Sequence, residues 1–199
     1  MKGRKVYRGA AIVACLVAPL AWAGTETATE TGTGGGAPER VAEGRAIAQQ
    51  FGAELRAALQ EAMAAGGPLA AIAVCEQDAP RIAREASERS GAAVGRTSTR
   101  TRNTDNHPDG HQHAVLNDFA AAMADGAQGA SLERLEQLED GRERYMRAIV
   151  IEPPCLVCHG AELAPEVAAT LDAAYPQDTA RGYQLGELRG AFTVTWPKD

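Results

Sequence analysis

Cys155-Leu156-Val157-Cys158-His159 is the stretch of this 199-residue chain whose residue types and spacing most directly imply chemistry. Two thiols three residues apart can meet the two vinyl groups along one edge of a porphyrin. The histidine that follows then lies under the ring, with its imidazole in reach of an iron. The pattern reads as covalent attachment of one haem c, carried by Cys155 and Cys158, with His159 as an axial ligand to the iron. Pro153-Pro154 fixes the backbone that enters the motif, and Gly160 lets the next turn approach the ring.

Three other readings of the same cysteines compete. A redox dithiol also uses C-x-x-C, but the βαβ surroundings of a thioredoxin-like site are missing. Zinc requires four ligands, and no second C-x-x-C or closely spaced Cys/His pair completes a set. A disulfide across two intervening residues would be small and strained.

Cys75 is the thiol that attachment leaves over in the exported chain. It is either a small buried residue at the end of the apolar run Leu69–Val74, since free cysteine packs like a hydrophobe, or the second axial ligand. His107, His111 and His113 compete for that ligand role from a polar turn region. On spacing alone the thiol and the histidines stand even. Met63, Met123 and Met146 all fall inside expected helix or strand, not in a ligand loop. Arg96, Arg102 and the loop histidines could serve acid–base chemistry in a peroxidase-type enzyme, but they read more simply as solvated or structural residues.

The N-terminus bears on the haem reading, because c-type attachment takes place outside the cytoplasm. Lys2, Arg4, Lys5 and Arg8 form a positive region, Gly9–Leu20 is apolar, and Ala21-Trp22-Ala23 fits a signal-peptidase site. Residues 1–23 are therefore expected to be a cleaved signal peptide and the protein to be periplasmic. A lipoprotein anchored at Cys15 is the weaker alternative, because the apolar run continues past that residue. No later segment is expected to span a membrane. Cleavage removes four positive charges and takes the formal charge from -6 to -10, a balance that argues against nucleic acid and anionic lipid as partners.

Residues 24–37 contain only small residues, Thr, Glu and a glycine run, and read as a flexible linker. One domain is expected over 38–199. Ile47, Phe51, Leu55 and Leu59 mark one face of a long helix from about Pro38 to Ala65, stopped by Gly66-Gly67-Pro68. A short helical stretch follows Pro68, and a further helix runs from near Pro80 to Ser90, with Asp78 as candidate cap and Gly91 as stop. Val94–Thr99 is β-prone, residues 101–110 are rich in turn formers, and Val115, Leu116, Phe119 and Met123 mark another helix. Asp140-Gly141 signals a hairpin between 135–139 and 142–151. A helix over 162–174 and a strand over 190–196 close a mixed α+β domain.

Taken together these pieces resemble a known family, the exported PAS-like c-type haem proteins catalogued as a domain of unknown function, which also serve as input modules of bacterial signalling proteins. The resemblance rests on Ala71–Cys75 with Ala79-Pro80, Val94–Ser98, Arg102-Asn103, Asn106–Asp109, Leu116 and Phe119, then on Cys155–Gly160, Tyr175–Asp178, Gly182-Tyr183 and Leu188–Ala191. It implies a PAS-like fold with a central antiparallel sheet and flanking helices. It also implies that Cys75 is the cysteine offered to the iron opposite His159. Thr104 and His111-Gln112 depart from the family pattern, which often has proline and Trp-Glu there. Thiolate ligation favours the ferric state, so a low-potential, six-coordinate haem is expected. The role that follows is redox or small-gas sensing, with output through a separate redox or signalling partner. The alternatives are a simple electron carrier and, least supported, an enzyme.

Overall fold

The computed structural model describes residues 36–198. The expected signal peptide (residues 1–23), with Cys15, and residues 24–35 of the expected linker lie outside the described residues. Ala37, read as linker, already opens the first helix, α1 (Ala37–Ala73), where the Glu39 carboxylate accepts the Gly36 N–H at 3.1 Å. The stop read at 66–68 is a break inside this element. Gly66 (φ −151, ψ 16) and Gly67 (φ 69, ψ −160) leave helical geometry, and Pro68 restarts it.

The next boundary differs from expectation. The helical stretch expected over Leu69–Cys75 does not end there but widens into one π turn, Val74–Asp78, that runs straight into α2 (Ala79–Ser90). Asp78 therefore caps nothing; its backbone is αR and its carboxylate accepts from Arg81 Nη2 at 2.8 Å. Gly91 terminates α2 in the left-handed region at φ 68, as its position implied.

The expectation about later spans is too strong. Ala37–Ser90 contains an 18-residue window of mean hydropathy 1.3, long and apolar enough to cross a membrane by length and composition. Alanine supplies much of that hydropathy, and the Gly66-Gly67 break interrupts the helix.

Beyond β1 (Ala93–Thr97) the turn-rich segment leads to α3 (Gly110–Ala124), then the hairpin of β2 (Glu133–Gln137) and β3 (Glu143–Val150). Between β3 and β4 (Leu188–Trp196) lie the short α4 (Leu156–His159) and α5 (Pro165–Ala174). Helix α5 starts at Pro165 instead of Glu162 because proline suits the first helical position. The four strands form one antiparallel sheet in the order β1-β4-β3-β2. This open sheet with its long N-terminal helix is the expected α+β class and is compatible with a PAS-like arrangement.

Alternation along the strands sorts the core into two faces. Tyr145, Val194 and Trp196 pack with Ala48, Phe51, Ile82 and Ala86 of α1 and α2. Met146, Ala148 and Ala191 point the other way, onto Val115, Leu116 and Phe119 of α3. Helix α1 lies close on the sheet because residue 44 is glycine: a Cβ there would meet the Tyr145 ring at 2.6 Å.

Candidate functional site

The cysteine motif occupies the connection between β3 and β4, the two strands at the centre of the sheet. Its entry is a 3₁₀ turn over Pro153–Cys155, and Cys155 itself is helical at φ −66, ψ −29. Cys155, Cys158 and His159 thus stand at i, i+3 and i+4 of continuous helical backbone, which puts all three on one face. Both cysteines are partly buried and unbridged. Cys155 packs beside Ile151, Ala180 and Tyr183, whereas Cys158 packs beside Ile72, Val167 and Leu171. The motif therefore joins the end of the sheet to α1 and α5.

His159 is held from behind. Its Nδ1 donates to the Ala180 carbonyl at 2.7 Å, which leaves the Nε2 lone pair to face outward. The loop after α5 returns alongside the motif: Gly182 N–H donates to the Gly160 carbonyl and Tyr183 N–H to the His159 carbonyl, each at 2.9 Å. The Tyr183 ring stands edge-on to the imidazole with centroids 6.2 Å apart. Burial, with the Arg189 and Arg102 charges, lowers the His159 pKa to about 3, so the ring is neutral. Gly160 serves the turn itself as well as any approaching ring, since a Cβ there would sit 2.6 Å from the Leu156 carbonyl oxygen.

Arg102 pins this loop to the rest of the domain. Its Nη2 donates to the Cys158 carbonyl at 2.6 Å and its Nε to Asp178 at 3.2 Å. Burial alone would raise the Asp178 pKa, but the Arg181 contact, the Ala180 N–H and Arg102 overcome it and hold the carboxyl below its usual range. Arg102 is thus a structural brace, with 8% of its side chain exposed.

Cys75 lies in the π turn, partly buried and unbridged. The fold brings it within electrostatic range of Cys158, Arg96 and Tyr175. Burial, Cys75 and Glu76 together push the Tyr175 phenol up to about 12. Three His, Cys, Asp or Glu side chains do not converge on a bare-ion site anywhere among the described residues. Of the histidines, only His107 stays in the turn region; His111 and His113 belong to the first turns of α3, and all three are exposed. His107 Nε2 lies 3.4 Å from Thr101 Oγ1 and His113 Nδ1 lies 3.1 Å from Asn117 Nδ2.

Sequence reasoning gave no role to Arg189 or Tyr183. Arg189 donates to Ser98 Oγ at 3.0 Å and to the Arg100 carbonyl at 3.1 Å, and it lies 5.5 Å from the Tyr183 ring centroid. Arg100 covers that ring at 4.0 Å. Both arginines belong to ladders and loops joined only in the folded chain, so no local spacing could have paired them.

The family model for Tll0287-like proteins matches residues 37–197. Among solved structures, the crystal structure of the cyanobacterial haem protein Tll0287 is similar at 26% identity and a TM-score of 0.51. That match covers 61% of this chain and 71% of that one. No curated protein matches the chain.

Proposed function

The chain belongs to the Tll0287-like family, and from that premise we propose that it carries one haem c, joined by thioether bonds to Cys155 and Cys158, with His159 as axial ligand to the iron. The observation that carries this reading is the helical turn that sets two unbridged thiols and an imidazole on one face, the imidazole already fixed through Nδ1 to Ala180. That donor set fits a haem: each thiol could add across one of the two vinyl groups on a porphyrin edge, and the free Nε2 could hold the metal. It does not fit zinc, because these side chains do not converge on one ion and no fourth ligand joins them among the described residues.

Cys75 is the proposed second axial ligand, approaching from the π turn on the α1–α2 side. A bound haem supplies an iron centre that changes oxidation state and ligand affinity. The residues supply the response. His159 is braced from behind by Ala180, whereas Cys75 sits on a single π turn between two helices. Cys75 would be the residue whose hold on the group responds to reduction by a redox partner, its Sγ able to take a proton. A small gas or another side chain could then take its place, on a turn that is continuous with α2. The protein is accordingly a periplasmic redox or small-ligand sensor that reports to a redox or signalling partner, and not a catalyst. A simple electron carrier is the second reading, favoured by the rigid bracing of the His159 side through Ala180, Arg102 and Asp178.

The test is the absorption spectrum of the protein made with a periplasmic c-type maturation system, repeated after denaturation and acid–acetone extraction. Pigment that stays with the polypeptide and gives a c-type pyridine adduct is the expected result. A colourless protein from an active maturation system overturns the reading.

A further inference from the structure

Among the described residues, Arg96 and Arg189 are cations without a carboxylate partner. Arg96, on β1, is half-buried and faces the α1–α2 side, in register opposite Phe192. Among the described residues its guanidinium has no hydrogen-bond or ion-pair partner; its titratable neighbours are the Cys75 thiol and the Tyr175 phenol, and burial works against its charge. Among the described residues Arg189, on β4, donates to the Ser98 hydroxyl and the Arg100 carbonyl and lies against Tyr183, but meets no carboxylate. Arg96 and Arg102 both act on Arg189 as like charges, and of the three only Arg102 has its carboxylate, Asp178.

Partly burying two guanidinium groups within electrostatic range of each other without counter-charges is unfavourable, and such groups ordinarily face a carboxylate or phosphate in bidentate geometry. Both lie in range of the groups that frame the proposed haem, Arg96 near Cys75 and Arg189 near His159. Resting on that haem reading, we propose that Arg96 and Arg189 are the counter-ions of the two haem propionates. The thioether bonds hold the vinyl edge from the β3–β4 connection, and the arginines on β1 and β4 hold the carboxylate edge. Haem orientation is thereby fixed from both ends, and the site's excess positive charge is balanced only when the cofactor is in place. Arg96 and Arg189 are positioning residues, since they touch the periphery of the group and not its iron.

The experiment feeds cells aminolevulinate carrying ¹³C at its carboxyl, which labels the propionate carboxyls of the haem, and follows their infrared bands against pH in the holoprotein. In the wild type the propionates should stay ionised well below the ordinary carboxylate midpoint of about 4. Arg96→Gln and Arg189→Gln should each move one propionate midpoint upward, Arg96→Lys should move it less, and Arg89→Gln, on the far surface of α2, should leave both in place. Ordinary midpoints in the wild type, or unmoved midpoints in both glutamine variants, overturn the proposal. Should the variants fail to fold, the wild-type titration alone decides. Label that never stays with the denatured polypeptide overturns the haem reading itself, an outcome distinct from attached haem with ordinary propionates.

Discussion

Arg102 donates from Nη2 to the carbonyl oxygen of Cys158 across 2.6 Å, while its Nε reaches Asp178, whose side chain is 2% exposed. One guanidinium thus ties the 101–106 turn to the cysteine motif and to the loop that supports His159. Removing one member of such a buried pair costs about 3–5 kcal/mol, because the other charge is left buried. Arg181 still pairs with Asp178 at 2.8 Å, so Arg102→Met should cost about 3 kcal/mol in denaturant unfolding. Arg102→Met combined with Asp178→Asn should recover part of that loss. An additive double variant would show that the two do not act as a pair.

Attachment and axial ligation should separate cleanly by substitution. Cys155→Ala with Cys158→Ala should leave pigment that acid–acetone extracts, or none. Cys75→Ala should keep the pigment on the polypeptide and change only the spectral signature of the axial ligand. Identical ferric and ferrous spectra in wild type and Cys75→Ala would remove Cys75 from the iron.

His159 gives the haem-free chain a defined pH dependence. Its folded pKa of about 3, set by burial and by Arg189 and Arg102, lies below the unfolded value of 6.5. Below 6.5 the unfolded chain binds a proton that the folded chain refuses. This contribution to stability is therefore complete above 6.5 and shrinks as pH falls toward 3, by up to about 1.4 kcal/mol per pH unit. Urea unfolding of apoprotein at several pH values measures the slope, and His159→Gln should flatten it.

Close approach of α1 to the sheet can be tested at Gly44. A methyl there would lie 2.6 Å and 2.8 Å from Tyr145 atoms and 2.9 Å from Trp196, and overpacking of this kind costs about 1–3 kcal/mol. Gly110→Ala, where no atom lies within 4 Å, should be neutral or slightly stabilising by comparison. Equal effects from the two substitutions would mean that α1 does not seat as described.

Local grammar made much of the fold legible. The Gly66-Gly67-Pro68 break, the Gly91 stop and the Asp140-Gly141 hairpin each depend on backbone preferences of the residues themselves. The motif was equally legible, because i, i+3 and i+4 share a face of any helical turn. What stayed hidden depends on residues far apart in the chain. Neither the insertion of β4 between β1 and β3, the π turn that carries Cys75, nor the Ala180 carbonyl behind His159 has a short-range signature. Asp78 looked like a cap because Asp usually caps; packing of α1 into α2 kept the helix going and turned its carboxylate to Arg81 instead. His111 and His113 looked like turn residues, yet Asp109 and Gln112 form a reciprocal cap that starts α3 ahead of them.

The place of β4 has a consequence for timing. It is the last strand of the described chain, yet it lies inside the sheet and pairs with both β1 and β3. As the polypeptide emerges N-terminus first, β1 waits for a neighbour and the β2–β3 hairpin keeps an open edge until residues 188–196 arrive. The cysteine segment appears earlier, on a connection whose far end is still loose. For the attachment proposed above, this would leave an interval in which an attaching enzyme could reach both thiols before β4 pairs with β1 and β3. On that proposal maturation and folding would run as a race, and whatever delays the docking of one strand would give the enzyme longer to win it.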